Sequence, residues 1–269
     1  MSDTHYPTNT ILSGISNDAY HAHSAISSSN CKDLLISPWL YKAKCDTQST
    51  PTAAMEFGTM FHTMVLEPDT MQDRYFVADK PKRNTKMGKE EYEHLNQIRG
   101  DRTWLSIADF KKAEAMRAAI DQNTVVKHLL SGGKAEQSVF WADQVTGTLC
   151  KARPDYLNVE QGYIVDLKTT SSLACENAFK STVERYQYHL SAAFYQYGVM
   201  QATGREMDFF FVVVETSAPH NYGLYKLGGD LLKQGYELFT EALRIYSKAK
   251  EKNRFDVPYH NGKLVELVA

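Results

Sequence analysis

The chain has 269 residues, of which 43% are hydrophobic and 23% charged, the profile of an ordinary globular protein of one large domain or two small ones. A chain of this length buries enough apolar surface to fold without disulfides or a structural metal. Thirty basic residues against 32 acidic ones give a formal charge of −2. This balance excludes a protein that coats nucleic acid through bulk positive charge, so any site for a polyanion must be local.

The hydrophobic pattern of the first 130 residues predicts helices joined by polar segments. Residues 1–30 are rich in Ser, Thr, Asn and His without periodicity, and we interpret them as a loosely held arm. The pattern after it predicts a short helix that begins near residue 31, a helix over 55–66, an exposed basic loop over 80–89, and a helix that opens with a Ser106–Asp109 capping box and closes near residues 131–133.

After residue 133 the spacing of apolar residues changes to the alternation typical of strands. Strands are predicted over 137–142, 148–159 and 162–169, followed by a long helix over 183–203, a buried strand over 207–215, a strand over 222–227 and a helix over 230–252. Turn residues separate the first three strands, which predicts antiparallel pairing. The sequence thus predicts an α/β fold.

The four cysteines form no pair with metal-ligand spacing, which disfavours zinc or iron–sulfur sites and favours a reducing compartment. The N-terminus lacks the basic and apolar regions of a signal peptide, and no stretch approaches the roughly 20 apolar residues of a membrane span. We therefore expect a cytoplasmic protein with no membrane partner.

Two carboxylates and one ammonium are predicted to meet in the strand hairpin. With a turn centred on 158–162, cross-strand partners have residue numbers that sum to about 321, which places Asp155 opposite Asp166. Lys168 follows Asp166 by two residues, so both side chains leave the same face of the strand. Charged groups inside an apolar strand are costly unless they pair, bind metal or take part in chemistry.

Paired carboxylates are a natural site for Mg²⁺, and a neighbouring lysine can orient an attacking water or stabilise a charged transition state. The hairpin therefore favours a phosphodiesterase site. The alternative is a structural hairpin with a buried Asp–Lys ion pair. Arg153 either clamps a phosphate or simply faces solvent beside the carboxylates.

Together with Pro154, this constellation resembles the PD-(D/E)xK nuclease signature. Nearly the whole chain is similar to the RecE-type exonuclease VIII family in the RecB-like branch of that superfamily. The matching segments are residues 17–22 and 26–28, the G-x-x-x-H helix ending at His62, Glu136 before the first strand, and residues 188–193 beginning at Tyr188. One departure is Ser191, which stands where many RecB-like nucleases carry glutamine.

The resemblance implies a restriction-endonuclease-like core, with a mixed central sheet and an antiparallel active-site hairpin flanked by helices. It implies that 31–269 is one nuclease domain and that Mg²⁺, with Mn²⁺ as a possible substitute, is the cofactor. The implied metal ligands are His62, Asp155 and Asp166; the implied catalytic residues are Asp155, Asp166, Lys168, Glu136 and Tyr188; the expected DNA-binding residue is Arg153.

The family's activity would be 5′-to-3′ digestion of linear double-stranded DNA, which leaves a 3′ single strand for a single-strand annealing recombinase. A ring-shaped homotetramer is also implied. The alternatives are a structure-specific endonuclease of the same fold and a catalytically silent protein that binds DNA ends.

Overall fold

The computed structural model describes residues 5–47 and 50–266. The α-helices are α1 Asn17–Ala22, α2 Ser28–Ile36, α3 Pro38–Asp46, α4 Ala53–Leu66, α5 Met71–Arg74, α6 Lys86–Arg99, α7 Ile107–Asp121, α8 Thr124–Leu129, α9 Glu176–Arg185, α10 Tyr188–Thr203 and α11 Gly229–Glu251. The strands are β1 Thr10–Leu12, β2 Tyr75–Val77, β3 Thr103–Leu105, β4 Lys134–Ala135, β5 Ser138–Ala142, β6 Leu149–Ala152, β7 Tyr156–Asn158, β8 Tyr163–Thr170, β9 Asp208–Glu215 and β10 Tyr222–Lys226.

A mixed sheet with the order β10-β9-β8-β7-β4 forms the centre of the fold. Strand β8 pairs antiparallel with β7 on one side and parallel with β9 on the other. The parallel pair needs a long crossover, which α9 and α10 supply. The predicted α/β class, with a mixed sheet, an antiparallel hairpin and flanking helices, is confirmed.

The alternating side chains of β8 and β9 divide the core into two layers. Ile164 and Phe211 pack with residues of α10 and α11, such as Phe194 and Phe239. On the opposite face, Val165, Leu167 and Val212 pack with residues of α4 and α7. Because side chains alternate along a strand, Asp166 and Lys168 share the face of Ile164, toward α10.

The predicted strand over 148–159 is wrong as a single element. It divides into β6 and β7, which belong to different sheets, and Arg153, Pro154 and Asp155 form the break. Proline lacks an N–H to donate to a sheet, so a strand interior cannot continue through Pro154. The break lets the chain leave the small sheet β1-β5-β6 and enter the central one.

The expectation of a loosely held N-terminal arm is also wrong for the described residues 5–30. Strand β1 pairs with β5, and Ile26 forms a β-bridge with Cys150. Tyr20 is buried, and the Lys151 ammonium donates hydrogen bonds of 2.6 Å to the carbonyl oxygens of Tyr20 and His23. This N-terminal segment is therefore part of the folded body, whereas residues 1–4 lie outside the described ranges.

Three predicted helical or loop regions differ in their limits. The basic loop over 80–89 ends at Thr85, whose hydroxyl caps α6, so its last residues form a helical turn. Asn123 caps α8 and divides the predicted helix near 106–131 into α7 and α8. Gln187, with φ of 51°, separates α9 from α10 in the region predicted as one helix over 183–203.

Helix α4 begins two residues before the predicted 55, and Gly204, with φ of 69°, ends α10 as expected. Within the described ranges, no helix has both the length and the apolar character needed to cross a membrane.

Candidate active site

The hairpin β7–β8 brings the two predicted carboxylates together. Its pairing of Tyr156 with Val165 and of Asn158 with Tyr163 confirms the predicted register. Asp155 lies one residue before β7, and its Oδ2 accepts a hydrogen bond of 2.8 Å from the Leu167 N–H. The Asp155 side chain is thereby fixed against the strand that carries Asp166.

Asp166 and Lys168 form an ion pair on the α10 face of β8, between Asp166 Oδ1 and Lys168 Nζ. Burial raises the pKa of Asp166 above its ordinary value, even though the Lys168 ammonium opposes this, and the charge of Asp155 raises it further. Burial alone would lower the pKa of Lys168, but the carboxylates of Asp166 and Asp155 outweigh it and raise that pKa. Lys168 is therefore a charged ammonium at neutral pH in the metal-free protein.

Helix α4 delivers His62 to the opposite side of the same carboxylates. Its Nε2 donates a hydrogen bond to the Leu167 carbonyl oxygen and lies 3.5 Å from Asp155 Oδ2. One turn earlier, Gly58 has Thr169 as its neighbour in β8, and a Cβ built there would lie 3.5 Å from Thr169 Oγ1. The G-x-x-x-H pattern thus places a glycine and a histidine on the face of α4 that contacts β8.

The donor set fits a hard divalent cation. Asp155 and Asp166 offer carboxylate oxygens, the Leu167 carbonyl adds a main-chain oxygen, and His62 adds an imidazole, a combination compatible with Mg²⁺ or Mn²⁺. Among residues 5–47 and 50–266, no three His, Cys, Asp or Glu side chains already stand in a coordinating arrangement. In this structure Lys168 Nζ is bonded to Asp166 Oδ1, and His62 Nε2 to the Leu167 carbonyl oxygen.

Glu136 lies beside the hairpin, between β4 and β5, in a left-handed backbone conformation with φ of 51°. Its N–H donates a hydrogen bond of 3.1 Å to the Asp155 carbonyl oxygen. Burial, followed by repulsion from Asp155, raises the pKa of the Glu136 carboxyl to about 7. A carboxyl group with this pKa exchanges protons near neutral pH.

Tyr188, the first residue of α10, presents its ring to two ammonium groups. Lys168 Nζ lies 5.2 Å from the ring centroid, and Lys32 Nζ of α2 lies 5.5 Å from it. These are cation–π distances. Tyr188 thus supports the site lysine through its ring.

Arg153 is held by the N-terminal segment. Its Nη2 donates hydrogen bonds to Ser138 Oγ at 2.7 Å and to the Ile15 carbonyl oxygen at 3.0 Å, and its guanidinium lies 4.1 Å from the centroid of the Tyr20 ring. The guanidinium is near Glu136, which favours its charged form, although burial lowers its pKa. DNA binding by Arg153 stays a prediction.

Two residues near the hairpin were missed in the sequence. Tyr195 of α10 bonds to Ser28; burial, followed by the charges of Asp166 and Asp155, raises the pKa of its hydroxyl. Lys32 follows the capping box at the start of α2 by one turn. Neither position carries a local pattern, because each reaches the site through packing of distant segments.

The α/β core and the Asp155, Asp166 and Lys168 hairpin together define a PD-(D/E)xK-type protein. The chain belongs to the family described as "PDDEXK-like domain of unknown function (DUF3799)", whose model matches residues 27–263. The predicted membership of the PD-(D/E)xK superfamily is thereby confirmed, at a level that does not single out the RecE-type branch.

One similar solved structure is that of a "putative exonuclease" from Eubacterium rectale. The two proteins are 16% identical and superimpose with a TM-score of 0.64, over 96% of this chain and 97% of the other. This likeness shows a shared fold over nearly the full length of both chains. The search of curated proteins found no match.

Proposed function

We propose that this protein is a metal-dependent exodeoxyribonuclease that hydrolyses linear double-stranded DNA. The observation that carries the proposal is the convergence of Asp155, Asp166 and Lys168 on one hairpin, with His62 of α4 against the same carboxylates. A strand interior retains such charges at a cost in stability, and catalysis gives a reason for that cost.

In this proposal Asp155, Asp166 and His62 would hold Mg²⁺, or Mn²⁺ in its place, which polarises the phosphodiester and lowers the pKa of a bound water. The Lys168 ammonium would orient the attacking water and stabilise charge on the phosphoryl oxygens. Glu136, with its pKa of about 7, accepts or relays the proton of that water. Tyr188 positions Lys168 through its ring, and Arg153 offers a guanidinium to a neighbouring phosphate.

The finer features of the proposal come from the family resemblance. They are 5′-to-3′ polarity, production of a 3′ single strand, delivery of that strand to a single-strand annealing recombinase, and assembly as a ring-shaped homotetramer. The Eubacterium rectale protein, described as a "putative exonuclease", supports the choice of an enzyme that needs a DNA end.

The test compares linear duplexes labelled at either end with covalently closed circular DNA, with and without Mg²⁺. The site variants are Asp166→Asn and Lys168→Met. The control variants are Asp208→Asn and Lys226→Met, because these residues form an exposed ion pair of 2.8 Å at the edge of the same sheet. We expect Mg²⁺-dependent degradation of the linear DNA by the native protein and by the control variants.

Release of the 5′ label before the 3′ label would support 5′-to-3′ digestion. Both site variants should degrade linear DNA at least about 100-fold more slowly than the native protein. Site variants as active as the controls would contradict the assignment of the site. Nicking of circular DNA would instead favour the endonuclease alternative. Binding of duplex ends without turnover would favour the silent DNA-end-binding alternative.

A further inference from the structure

Lys32 places a second ammonium group beside the candidate active site. Helix α2 packs against α10 and α11, which turns Lys32 toward Tyr188 at the start of α10. Lys32 and Lys168 lie 5.5 Å and 5.2 Å from the centroid of the same ring. The Tyr188 ring thus links a lysine of the catalytic hairpin to a lysine that no sequence motif indicates.

The two carboxylates that act electrostatically on Lys32 already have other lysine partners. Asp33 is bonded to Lys44 at 2.5 Å, and Asp166 is paired with Lys168. Burial and repulsion from Lys168 lower the pKa of Lys32 to about 8. Among residues 5–47 and 50–266, no carboxylate forms an ion pair with Lys32; a partly buried ammonium in this state is unfavourable, and an anion bound next to it would relieve that cost.

We propose that Lys32 binds a phosphate of the DNA strand that lies next to the scissile phosphate, forming with Tyr188 a second phosphate subsite on the α10 side of the hairpin. This inference rests on the proposed function. Lys168 serves the reacting phosphate at the carboxylates, and Lys32, which lies against the same Tyr188 ring, serves the neighbouring phosphate along the strand. Lys32 is thus a substrate-binding residue that holds the strand in register.

The experiment measures binding of a 20-base-pair linear duplex by fluorescence anisotropy, in EDTA so that no hydrolysis occurs, over a series of salt concentrations. Lys32→Met removes the charge but keeps an unbranched apolar stem against the Tyr188 ring. Lys32→Arg keeps the charge. Lys42→Met is the matched control, since Lys42 is an exposed lysine of the next helix that pairs with Asp46.

We expect Lys32→Met to reduce the slope of log K against log salt by about 0.9, the loss of one phosphate contact, and to weaken binding several-fold. Lys32→Arg should keep the slope of the native protein, and Lys42→Met should leave both quantities unchanged. Lys32→Met with the slope of the native protein would overturn the inference. So would an equal loss of slope in Lys32→Arg, because the effect would then follow side-chain shape instead of charge.

A parallel digestion in Mg²⁺ separates this inference from the proposed function. A native protein that degrades linear DNA, combined with an unchanged slope in Lys32→Met, overturns the role of Lys32 alone. A native protein that binds but never cleaves, combined with the reduced slope, overturns the proposed nuclease and leaves the phosphate subsite supported.

Discussion

Removal of the Lys168 ammonium should destabilise the metal-free protein in a pH-dependent way. Lys168→Met leaves the Asp166 carboxylate, whose side chain is 8% exposed, next to Asp155 without its paired ammonium. Removing one partner of a fully buried pair costs about 3–5 kcal/mol. Because the Lys168 side chain is 25% exposed and water screens the pair, we expect a loss of about 2–3 kcal/mol at pH 8.

The sign of the pH dependence follows from the carboxyl group. Burial already raises the pKa of Asp166, and loss of Lys168 raises it further, so the folded variant holds a proton that the unfolded chain releases. The penalty is therefore small at pH 5 and grows as the pH rises through the folded-state pKa. Mg²⁺ bound at the carboxylates should replace the lost ammonium, so the ion should stabilise Lys168→Met more than the native protein.

Urea unfolding at pH 5 and pH 8, in EDTA and in saturating Mg²⁺, measures these differences. Lys226→Met is the control, since its pair with Asp208 is exposed and should be worth less than about 1 kcal/mol. The double variant Asp166→Asn with Lys168→Met should be more stable at pH 8 than Lys168→Met alone. The reasoning fails if Lys168→Met loses no more than Lys226→Met at pH 8, or loses the same amount at both pH values.

Three further outcomes test the site and the packing behind it. Because the pKa of Glu136 is raised to about 7, its ionised form costs about 3 kcal/mol of folding free energy at pH 8. Glu136→Gln should therefore raise the free energy of unfolding at pH 8 but have little effect near pH 4.5, and a change independent of pH would contradict this. His62→Ala should weaken Mn²⁺ binding by about tenfold or more in calorimetry, whereas unchanged affinity would remove His62 from the metal site. In Gly235→Ala the new Cβ would lie 2.1 Å from the His189 carbonyl oxygen, so thermal unfolding should show a loss of about 1–3 kcal/mol in stability. The control Gly229→Ala, whose Cβ would have nothing within 4 Å, should be neutral or stabilising. Equal effects of the two substitutions would refute the close approach of α10 and α11.

The hairpin could be predicted from the sequence because its determinants are local. The turn over 158–162 sets the register, and alternation along a strand sets the faces, so Asp155, Asp166 and Lys168 could be placed from their numbers alone. The long apolar run of β9 could be predicted for the same reason, since a strand buried on both faces needs no other signal.

The remaining site residues depend on packing between distant segments. Lys32 and Tyr195 come near enough to feel the charges of the carboxylates only because α2 and α10 cover the same face of β8, which no spacing along the chain encodes. The break at Gln187 was missed because glutamine in a left-handed conformation carries no sequence signal of the kind that glycine gives at Gly204. Pro154 did carry a signal, and the predicted strand over 148–159 passed through it wrongly.

The N-terminal segment was misjudged for a related reason. Its polar composition is typical of an exposed arm, but the ammonium of Lys151 and the guanidinium of Arg153 supply the hydrogen-bond donors that its carbonyl oxygens need. The Lys151 side chain belongs to β6, and the Arg153 side chain to the break that leads to Asp155. The segment is therefore tied to the same stretch of chain that positions the first carboxylate.

The charges around the hairpin also explain how a chain of nearly zero net charge could grip DNA. Asp155 repels both Asp166 and Glu136, and burial raises the pKa of these two carboxyl groups, so a divalent cation bound there would relieve the repulsion. With a cation neutralising the carboxylates, the ammonium groups of Lys168 and Lys32, the latter without an ion pair to a carboxylate in the described part of the chain, would both be available to phosphates. Metal and DNA should accordingly bind with positive coupling, because each neutralises the charge that the other leaves exposed. In the proposed complex, the positive charge that DNA requires would thus be supplied locally, by the ion and the two lysines, and the net charge of the whole chain need not be positive.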